Sequence, residues 1–371
     1  MALRALRLIT VRGIPIQIDA SWIIIALLVT WSLATRGFPV LYSGQSAPIY
    51  WTMGVLGALG LFASIVAHEI AHTLAARRHG IRMAGITLFI FGGVAQMEGE
   101  PPSPAAEFAM AVAGPLASIG IGVAAVTVAL LPWPGEVVTI LTYLGVMNVA
   151  LAMFNLLPAF PLDGGRLLRA FLWRRSGSAL GATRVAARVG TAFAFALMGL
   201  GLIRIPLSDP VGGLWLFIIG LFLRQAARLS YEQELVHEAL AGKPVRQFMT
   251  VGPIAVNANT SLADFLHEFV YRYHHRLFPV QDNGRLLGAI TTAQLRGVPT
   301  AERQIRKVSS ATIPLASLPT VTPDTGALQA LGRMRESGRS RLLVVDHHRL
   351  AGIITTRDLL DFIALEGEVA Q

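Results

Sequence analysis

The stretch Ser64-Ile65-Val66-Ala67-His68-Glu69-Ile70-Ala71-His72-Thr73-Leu74 decides how the chain is interpreted, because its centre has the pattern His-Glu-x-x-His. Four residues of an α-helix turn by about 400°. His68 and His72 therefore share one helix face and can bind the same metal ion. Glu69 lies about 100° further round, where it can act as a general base on an attacking water. The spacing predicts a helical zinc site with a catalytic glutamate.

The residues that precede this pattern indicate that the helix lies in a membrane. Residues 52–63, Thr-Met-Gly-Val-Leu-Gly-Ala-Leu-Gly-Leu-Phe-Ala, carry no charge. Ionisable groups inside a transmembrane helix are costly, and they usually mark a functional site. The setting therefore favours a metal site over two hydrogen-bonded core histidines beside an unrelated glutamate.

The composition is that of a polytopic membrane protein. Of the 371 residues, 53% are hydrophobic and 14% are charged, and the mean hydropathy is +0.57. The net charge of +9 comes almost wholly from arginine, much of it beside apolar segments. This distribution favours membrane topology and contact with lipid headgroups, and we expect no nucleic-acid partner. The chain has no cysteine, which excludes disulfides and thiolate zinc ligands.

Six apolar segments are each near the ~20 residues that a helix needs to span a bilayer. They are residues 20–35, 52–76, 106–131, 137–157, 185–204 and 211–223. Arginines lie before the first segment, after the second, between the fourth and fifth, and after the sixth: Arg4, Arg7, Arg12, Arg77, Arg78, Arg82, Arg166, Arg169, Arg174, Arg175, Arg184, Arg188, Arg224 and Arg228. The remaining connections hold only Arg36 and Arg204. The positive-inside rule predicts that both termini and the C-terminal part are cytoplasmic. We expect an integral protein of a cell membrane, of prokaryotic origin.

Between the second and third segments, residues 85–97 are apolar, rich in β-forming residues and too short to span a membrane as a helix. Non-helical backbone at membrane depth is tolerated only where it is buried or lines a cavity. The segment therefore predicts a hairpin whose edge could pair with an extended substrate. An interfacial loop between helices is the alternative.

The fourth apolar segment runs into Asn155-Leu156-Leu157-Pro158-Ala159-Phe160-Pro161-Leu162-Asp163-Gly164-Gly165-Arg166. The prolines end the helix and the glycines allow a tight turn, which places Asp163 at the depth of His68 and His72. A catalytic zinc needs three protein ligands, and Asp163 is the best-placed third ligand, although it could also be a turn or capping residue. Asn155 could donate to a substrate carbonyl or bond a neighbouring helix.

These motifs together resemble those of the site-2 proteases, a family of zinc intramembrane proteases. The matching pieces occur in the family's order: His68-Glu69-Ile70-Ala71-His72, Phe91-Gly92-Gly93, Ala113-Gly114-Pro115 and Asn155 through Gly165. By spacing alone, Gly114 belongs to a small-residue face for close helix packing.

The resemblance implies a function and a role for each matching residue. His68, His72 and Asp163 would hold one zinc ion per chain, with Glu69 as the base. Asn155 would help to bind substrate, and Gly92 and Gly93 would align it. The substrate would be a transmembrane segment of another membrane protein, cut in regulated intramembrane proteolysis.

The C-terminal part of the chain contains a repeat with an offset of 64 residues. Residues 283–295 align with residues 347–359, and an apolar strand that ends in an acid precedes each. Such a repeat implies two similar units packed together, and these resemble tandem cystathionine-β-synthase (CBS) domains, α/β modules that often pair around an adenine nucleotide. The family's Thr-x-x-Asp ribose motif is intact at Thr355 and Asp358, whereas Thr291 is followed by Gln294 in the acid's place. A module that serves only homodimerisation is the alternative.

The predicted architecture is a polytopic α-helical membrane protein with about six transmembrane helices, a β-hairpin-like membrane-associated loop and a C-terminal α/β CBS pair. The predicted boundaries are 1–228 for the protease domain (core 52–166), 229–244 for a linker, and 245–299 and 308–365 for the CBS domains. The predicted function is an intramembrane zinc endopeptidase with a nucleotide-responsive CBS pair. A CBS-gated transporter or channel with a bound zinc is the alternative, but it would not need a base beside its ligands. An inactive scaffold is a third interpretation, which the intact motif set disfavours.

Overall fold

The computed structural model describes residues 6–369 except residues 82, 91, 98, 208 and 348. Arg4, Arg82, Phe91 and His348, which the sequence analysis uses, lie outside the described residues. The chain divides into two units, Met1–Glu234 and Leu235–Gln371.

Among the described residues, six helices are long and apolar enough to cross a membrane, which confirms the predicted number. They are α1 (Ala20–Leu41), α2 (Ala47–Arg78), α3 (Pro104–Ala129), α4 (Gly135–Asn155), α6 (Ala179–Leu207) and α7 (Pro210–Leu240). Helix α1 contains a π-helical turn at Leu33–Gly37. Large apolar side chains such as Leu27 and Val123 are more than half exposed on these helices, as expected where lipid covers them.

Helix α7 continues well past the apolar segment 211–223. Residues 229–240, which the sequence analysis assigns to a linker, form its C-terminal turns. This part contains three leucines and three glutamates, which favour helix. Hydropathy detects only the part of such a helix that lies in lipid, so the polar extension was not assigned to the sixth segment.

A further helix, α5 (Asp163–Ser176), lies between α4 and α6 and was not predicted. It is too short and too polar to span a bilayer. An acidic residue in the first turn, Asp163, favours this start through the helix dipole. Gly177 ends the helix with a left-handed φ of 73°, which a glycine adopts readily.

The membrane unit also contains a four-stranded sheet in the order β1-β2-β3-β4. Its strands are β1 (Leu6–Val11), β2 (Ile14–Ile18), β3 (Met83–Phe89) and β4 (Gly92–Met97). Strands β3 and β4 pair antiparallel, which confirms the predicted hairpin. Strand β2 pairs parallel with β3, and β4 is an edge strand of this sheet.

The hairpin of β1 and β2 was not predicted, although its sequence carries a signal. Its turn residues Arg12 and Gly13 both have positive φ, at 49° and 77°, as a tight two-residue hairpin turn requires. Ile14, Ile86 and Leu88 of the sheet form a buried cluster with Ile65, Val66 and Ile70. The sheet therefore packs directly against the part of α2 that carries His68 and Glu69.

The C-terminal unit contains two four-stranded sheets, ordered β6-β7-β8-β9 and β10-β11-β12-β5. The strands are β5 (Thr250–Val251), β6 (Val256–Asn257), β7 (Leu277–Asp282), β8 (Arg285–Thr291), β9 (Ile313–Pro314), β10 (Thr320–Val321), β11 (Arg341–Asp346) and β12 (Arg349–Thr355). The helices are α8 (residues 262–273, with a central π-helical part), α9 (Ala327–Glu336) and α10 (Thr356–Val369).

The two sheets of this unit confirm the sequence repeat. The hairpins β7–β8 and β11–β12 have the same register, with Val280 opposite Gly288 and Val344 opposite Gly352. Both hairpins also have a register shift at the following residue. Strand β5 precedes the first repeat in the sequence but pairs with β12 of the second repeat. The sheet of the second repeat is therefore completed by a strand from the start of the unit.

Candidate active site

Three side chains from two helices bring their ligand atoms together beside the sheet. The two Nε2 atoms of His68 and His72, one turn apart on α2, lie 3.1 Å from each other. Each Nε2 atom lies 3.2 Å from Oδ2 of Asp163, the first residue of α5. Both histidines are buried. The predicted ligands His68, His72 and Asp163 therefore do converge on one point, and they form a group that could hold a metal ion.

The spacing of these atoms fits a small tetrahedral ion. Zinc bonds to imidazole nitrogen and carboxylate oxygen are about 2.0–2.1 Å long, so two ligand atoms of a tetrahedral site lie roughly 3.3 Å apart. The three observed separations are 3.1–3.2 Å. Two imidazoles and one carboxylate also match the three-ligand set of catalytic zinc sites, in which the fourth position stays open.

Two groups on helix α3 orient the imidazole rings by bonding to their Nδ1 atoms. Nδ1 of His72 lies 2.7 Å from the carbonyl oxygen of Met110, and Nδ1 of His68 lies 2.9 Å from the hydroxyl of Ser118. Because a carbonyl can only accept, Nδ1 of His72 carries the proton. The lone pair on Nε2 of His72 therefore faces the ligand group, which consists of His68, His72 and Asp163. The sequence analysis missed these partners, since no spacing in the chain relates them to the histidines.

Gly114 on α3 lies directly against the ligand atoms. A Cβ atom at this position would come within 2.6 Å of His68 Nε2 and closer still to His72 Nε2. Real Cβ atoms essentially never approach that closely, so only glycine fits here. The small-residue face of α3 thus contacts the ligand group as well as serving helix packing.

Asp163 is held in the form that can bind a cation. Burial alone would raise the pKa of this carboxyl group, but the adjacent imidazole rings of His68 and His72 hold its pKa well below the usual range. Asp163 is therefore a carboxylate at neutral pH, as a metal ligand must be.

Glu69 follows His68 on α2 and packs against strand β4. A Cβ atom at Gly93 would lie 2.7 Å from Cγ and 3.3 Å from Oε1 of Glu69. The glycine therefore lets the β4 backbone lie directly on the glutamate side chain. Gly92, by contrast, has open space around it and a φ of 130°, which favours glycine for its backbone conformation.

Comparison with known proteins places this site in a family. Residues 56–134 and 132–197 match the family model for peptidase family M50. Rip3 of Mycobacterium tuberculosis, whose name describes it as a zinc metalloprotease, is 38% identical over 359 residues, which cover 95% of this chain and 91% of that protein. The chain belongs to peptidase family M50. It is a zinc metalloprotease of the site-2 protease type and an integral membrane protein, as the motifs predict.

A curated archaeal protein and a solved archaeal structure are also similar to this M50 peptidase. A zinc metalloprotease of Methanocaldococcus jannaschii is 29% identical over 362 residues, which cover 96% of this chain and 95% of that protein. The solved structure of a site-2 protease from the same organism covers 61% of this chain and 95% of its own, with 29% identity and a TM-score of 0.44. Residues 245–298 and 310–365 match the family model for the CBS domain, which confirms the C-terminal pair.

The remaining substrate residue predicted for this peptidase, Asn155, is the last residue of α4 and is half-buried. A second asparagine on α4 was missed. The side chain of Asn148 is fully buried and donates from Nδ2 to Ser64 Oγ at 3.0 Å and to the Leu144 carbonyl at 2.8 Å. Asn148 thus ties α4 to α2 one turn before His68.

The predicted nucleotide residues Thr291 and Thr355 each bond through the backbone to the side chain three residues further on. The backbone N–H of Thr355 donates to Asp358 Oδ2 at 2.8 Å, and the N–H of Asp358 is 3.2 Å from Thr355 Oγ1. In the first repeat, the backbone N–H of Thr291 donates to Gln294 Oε1 at 3.0 Å. The Thr291 hydroxyl donates to the same oxygen. The amide oxygen of Gln294 therefore accepts the same backbone hydrogen bond as the carboxylate of Asp358.

A cavity of about 420 Å³ lies between the two CBS repeats. Thr291 contributes to its lining, whereas Thr355 and Asp358 are not among the described residues that line it. Four arginines do line it: Arg276, Arg296, Arg339 and Arg341. Such a concentration of positive charge favours an anionic ligand.

Proposed function

We propose that this M50 peptidase is an intramembrane endopeptidase that hydrolyses peptide bonds in or near transmembrane segments of other membrane proteins. The convergence of Asp163 with His68 and His72, which lie beside Glu69 on a helix able to span a bilayer, carries the proposal. The transporter or channel alternative is not favoured, because the chain belongs to a family of zinc metalloproteases.

In this proposal His68, His72 and Asp163 hold one zinc ion, and Glu69 is the general base. A zinc ion held there supplies Lewis-acid chemistry, which activates water near neutral pH and polarises the scissile carbonyl. Glu69 accepts the proton of the attacking water and later passes it to the leaving amine. The β4 backbone at Gly93 restricts where the carboxylate of Glu69 can lie.

Strand β4 is the proposed binding edge for substrate. A helical substrate has its carbonyl groups hydrogen-bonded, so it must unwind locally before attack, and unpaired backbone is costly at membrane depth. Pairing with the edge of β4 would restore those hydrogen bonds. Gly92 and Gly93 would align the unwound segment, and Asn155 would donate to a substrate carbonyl.

Co-expression of the chain with candidate single-span membrane proteins tests the endopeptidase function. We expect fragments whose new ends map within or beside the span, and we expect them to disappear when zinc is chelated. Cleavage confined to soluble regions, or fragments that persist without metal, would contradict intramembrane zinc proteolysis.

The contact between Gly93 and Glu69 gives a more specific prediction. In Gly93→Ala the new methyl group must displace the glutamate side chain, and a 1 Å misplacement of a reacting group can cost about 10²-fold in rate. We therefore expect cleavage to slow by about that factor while zinc content is unchanged. Gly120→Ala adds a methyl group in open space on α3 and should cleave at the wild-type rate. Equal rates for the two variants would remove the positioning role of β4.

We also propose that the CBS pair binds an adenine nucleotide, chiefly through the second repeat. Asp358 offers a carboxylate to ribose hydroxyls, and a charged acceptor is stronger than the amide of Gln294. The arginine-lined cavity, to which Thr291 contributes and Asp358 does not, would be a separate site for an anion. The coupling to proteolysis must be reciprocal, since nucleotide can change substrate affinity only if substrate changes nucleotide affinity equally.

Calorimetry of the purified full chain with ATP, ADP and AMP tests this site. A lost hydrogen bond to a charged group is worth about 1.5–3 kcal/mol, so Asp358→Ala should bind nucleotide roughly 10–100-fold more weakly. Asp361→Ala, which removes an exposed acid from the same helix, is the matched control. Equal binding by wild type and Asp358→Ala would remove Asp358 from the site, and no binding by either would favour the homodimerisation alternative.

The proposed orientation puts both termini and the CBS pair in the cytoplasm, and the CBS pair is also the proposed surface for a homodimer. Arg77 and Arg78 close α2, and α5 carries Arg174 and Arg175 in its last turn, on the side that the positive-inside rule makes cytoplasmic. Because the chain contains no cysteine, single introduced cysteines can be labelled from either side of the membrane to test this orientation.

A further inference from the structure

A buried arginine on α5 binds carboxylates from three separate parts of the membrane unit. Nε of Arg169 lies 2.8 Å from the carboxylate of Glu107, and Nη1 lies 2.8 Å from Glu234. Nη2 lies 3.3 Å from Glu100, and Nη1 also lies 3.4 Å from the hydroxyl of Thr183. The side chains of Arg169, Glu107 and Glu234 are at most 8% exposed.

The burial of this cluster makes it unlike a surface ion pair. Surface pairs are screened by water and contribute little, whereas removal of one partner from a buried pair leaves an uncompensated charge. The guanidinium is planar and points its donors in fixed directions. Arg169 therefore fixes the relative positions of the segments that supply the acids.

Three of the four segments that meet at Arg169 also supply part of the candidate active site. Helix α5 carries Arg169 and starts at Asp163. Helix α3 carries Glu107 one turn before Met110, whose carbonyl oxygen orients His72. Glu100 follows the end of β4, the strand that packs on the side chain of Glu69.

The fourth segment is α7, the helix that leads into the CBS pair. Glu234 is the last residue of the membrane unit on this helix. Its carboxylate meets the same guanidinium group as Glu107. A displacement at this end of α7 would therefore act on Arg169, and through it on α5 and α3.

We propose that Arg169 is a positioning residue through which helix α7 holds Asp163 and the ring of His72 in their metal-binding arrangement. This inference rests on the proposed metal site. It assigns to Glu234 an indirect role, because Glu234 acts through Arg169 and is not one of the proposed metal or substrate residues. Through Arg169, helix α7 would thus influence the positions of the predicted zinc ligands.

Cobalt(II) loaded into the full chain tests the inference, because its visible absorption depends on ligand geometry. The principal variant is Glu234→Gln, which keeps the shape of the side chain and removes its charge. Arg169→Lys is the second, since a lysine ammonium cannot span the acids as a planar fork does. Glu232→Gln is the matched control, because it makes the same change two residues away in an exposed pair with Arg228.

We expect Glu234→Gln and Arg169→Lys to shift the cobalt absorption and to release metal to a chelator about tenfold faster, as for groups that orient ligands. Glu232→Gln should match wild type in both measurements. Wild-type spectra and release rates in Glu234→Gln and Arg169→Lys, with only a lower melting temperature, would show that the cluster is purely structural and overturn the inference. A wild-type chain that binds no cobalt would instead refute the metal site, and the inference with it.

Discussion

Glutamine in place of Glu69 should leave the metal content of the chain unchanged and reduce peptide cleavage by several orders of magnitude. The amide has nearly the shape of the carboxylate, so contact with the β4 backbone at Gly93 can persist. It cannot accept a proton from the attacking water, and general acid–base catalysis is typically worth 10²–10⁴-fold. In the proposed mechanism the same carboxylate also protonates the leaving amine, so both proton transfers would be lost together.

A time course of substrate cleavage in detergent or liposomes, with elemental analysis of the same protein, measures both halves of this expectation. Glu232→Gln is a suitable control, because that glutamate is exposed and pairs with Arg228 away from the site. Near-normal cleavage by Glu69→Gln would remove Glu69 from the mechanism. Loss of zinc from that variant would show that Glu69 supports the metal instead of acting as a base.

The parts of the site that lie within one helix turn could be predicted from the sequence. His68, Glu69 and His72 are related by helix geometry alone, and this geometry is the same in any helix. Asp163 is 95 residues from His68 in sequence, so no periodicity connects them. It was found through expected membrane depth and the motif resemblance, and the structure brings it to the histidines.

The groups that orient the ligands could not be predicted, because they depend on how α3 packs against α2. Met110 contributes only its backbone carbonyl, which any residue possesses. Gly114 was recognised as a small residue for helix packing, but the atoms it faces are set by the rotation of α3 about its axis. Ser118 carries no signal that separates it from other small polar residues in transmembrane helices.

Arg169 makes a specific contact that the positive-inside rule does not predict. The positive-inside rule counts it among the arginines that set topology, and it treats all of them as exposed to solvent or lipid headgroups. Arg169 is instead buried among three glutamates from other segments. Hydropathy cannot show this, because the acids that neutralise Arg169 lie 62–69 residues from it in the sequence.

The last prediction concerns zinc itself. We expect close to one zinc per chain in purified wild-type protein, and a sharp drop in His72→Ala. His72 supplies one of three ligand atoms that lie 3.1–3.2 Å apart, so its loss leaves only His68 and Asp163. Loss of an outer group that orients a ligand typically costs 10–100-fold in metal affinity, and loss of a ligand should cost more.

Two further variants separate this effect from a general disturbance of α2. His79→Ala makes the same substitution at an exposed position just past the end of the same helix, and its zinc content should equal that of wild type. Ser118→Ala removes only the partner of His68 Nδ1, so its zinc affinity in a chelator competition should fall between those of wild type and His72→Ala. An unchanged zinc content in His72→Ala would refute the site assignment, because no arrangement built on His68 and Asp163 alone provides the three protein ligands of a catalytic zinc.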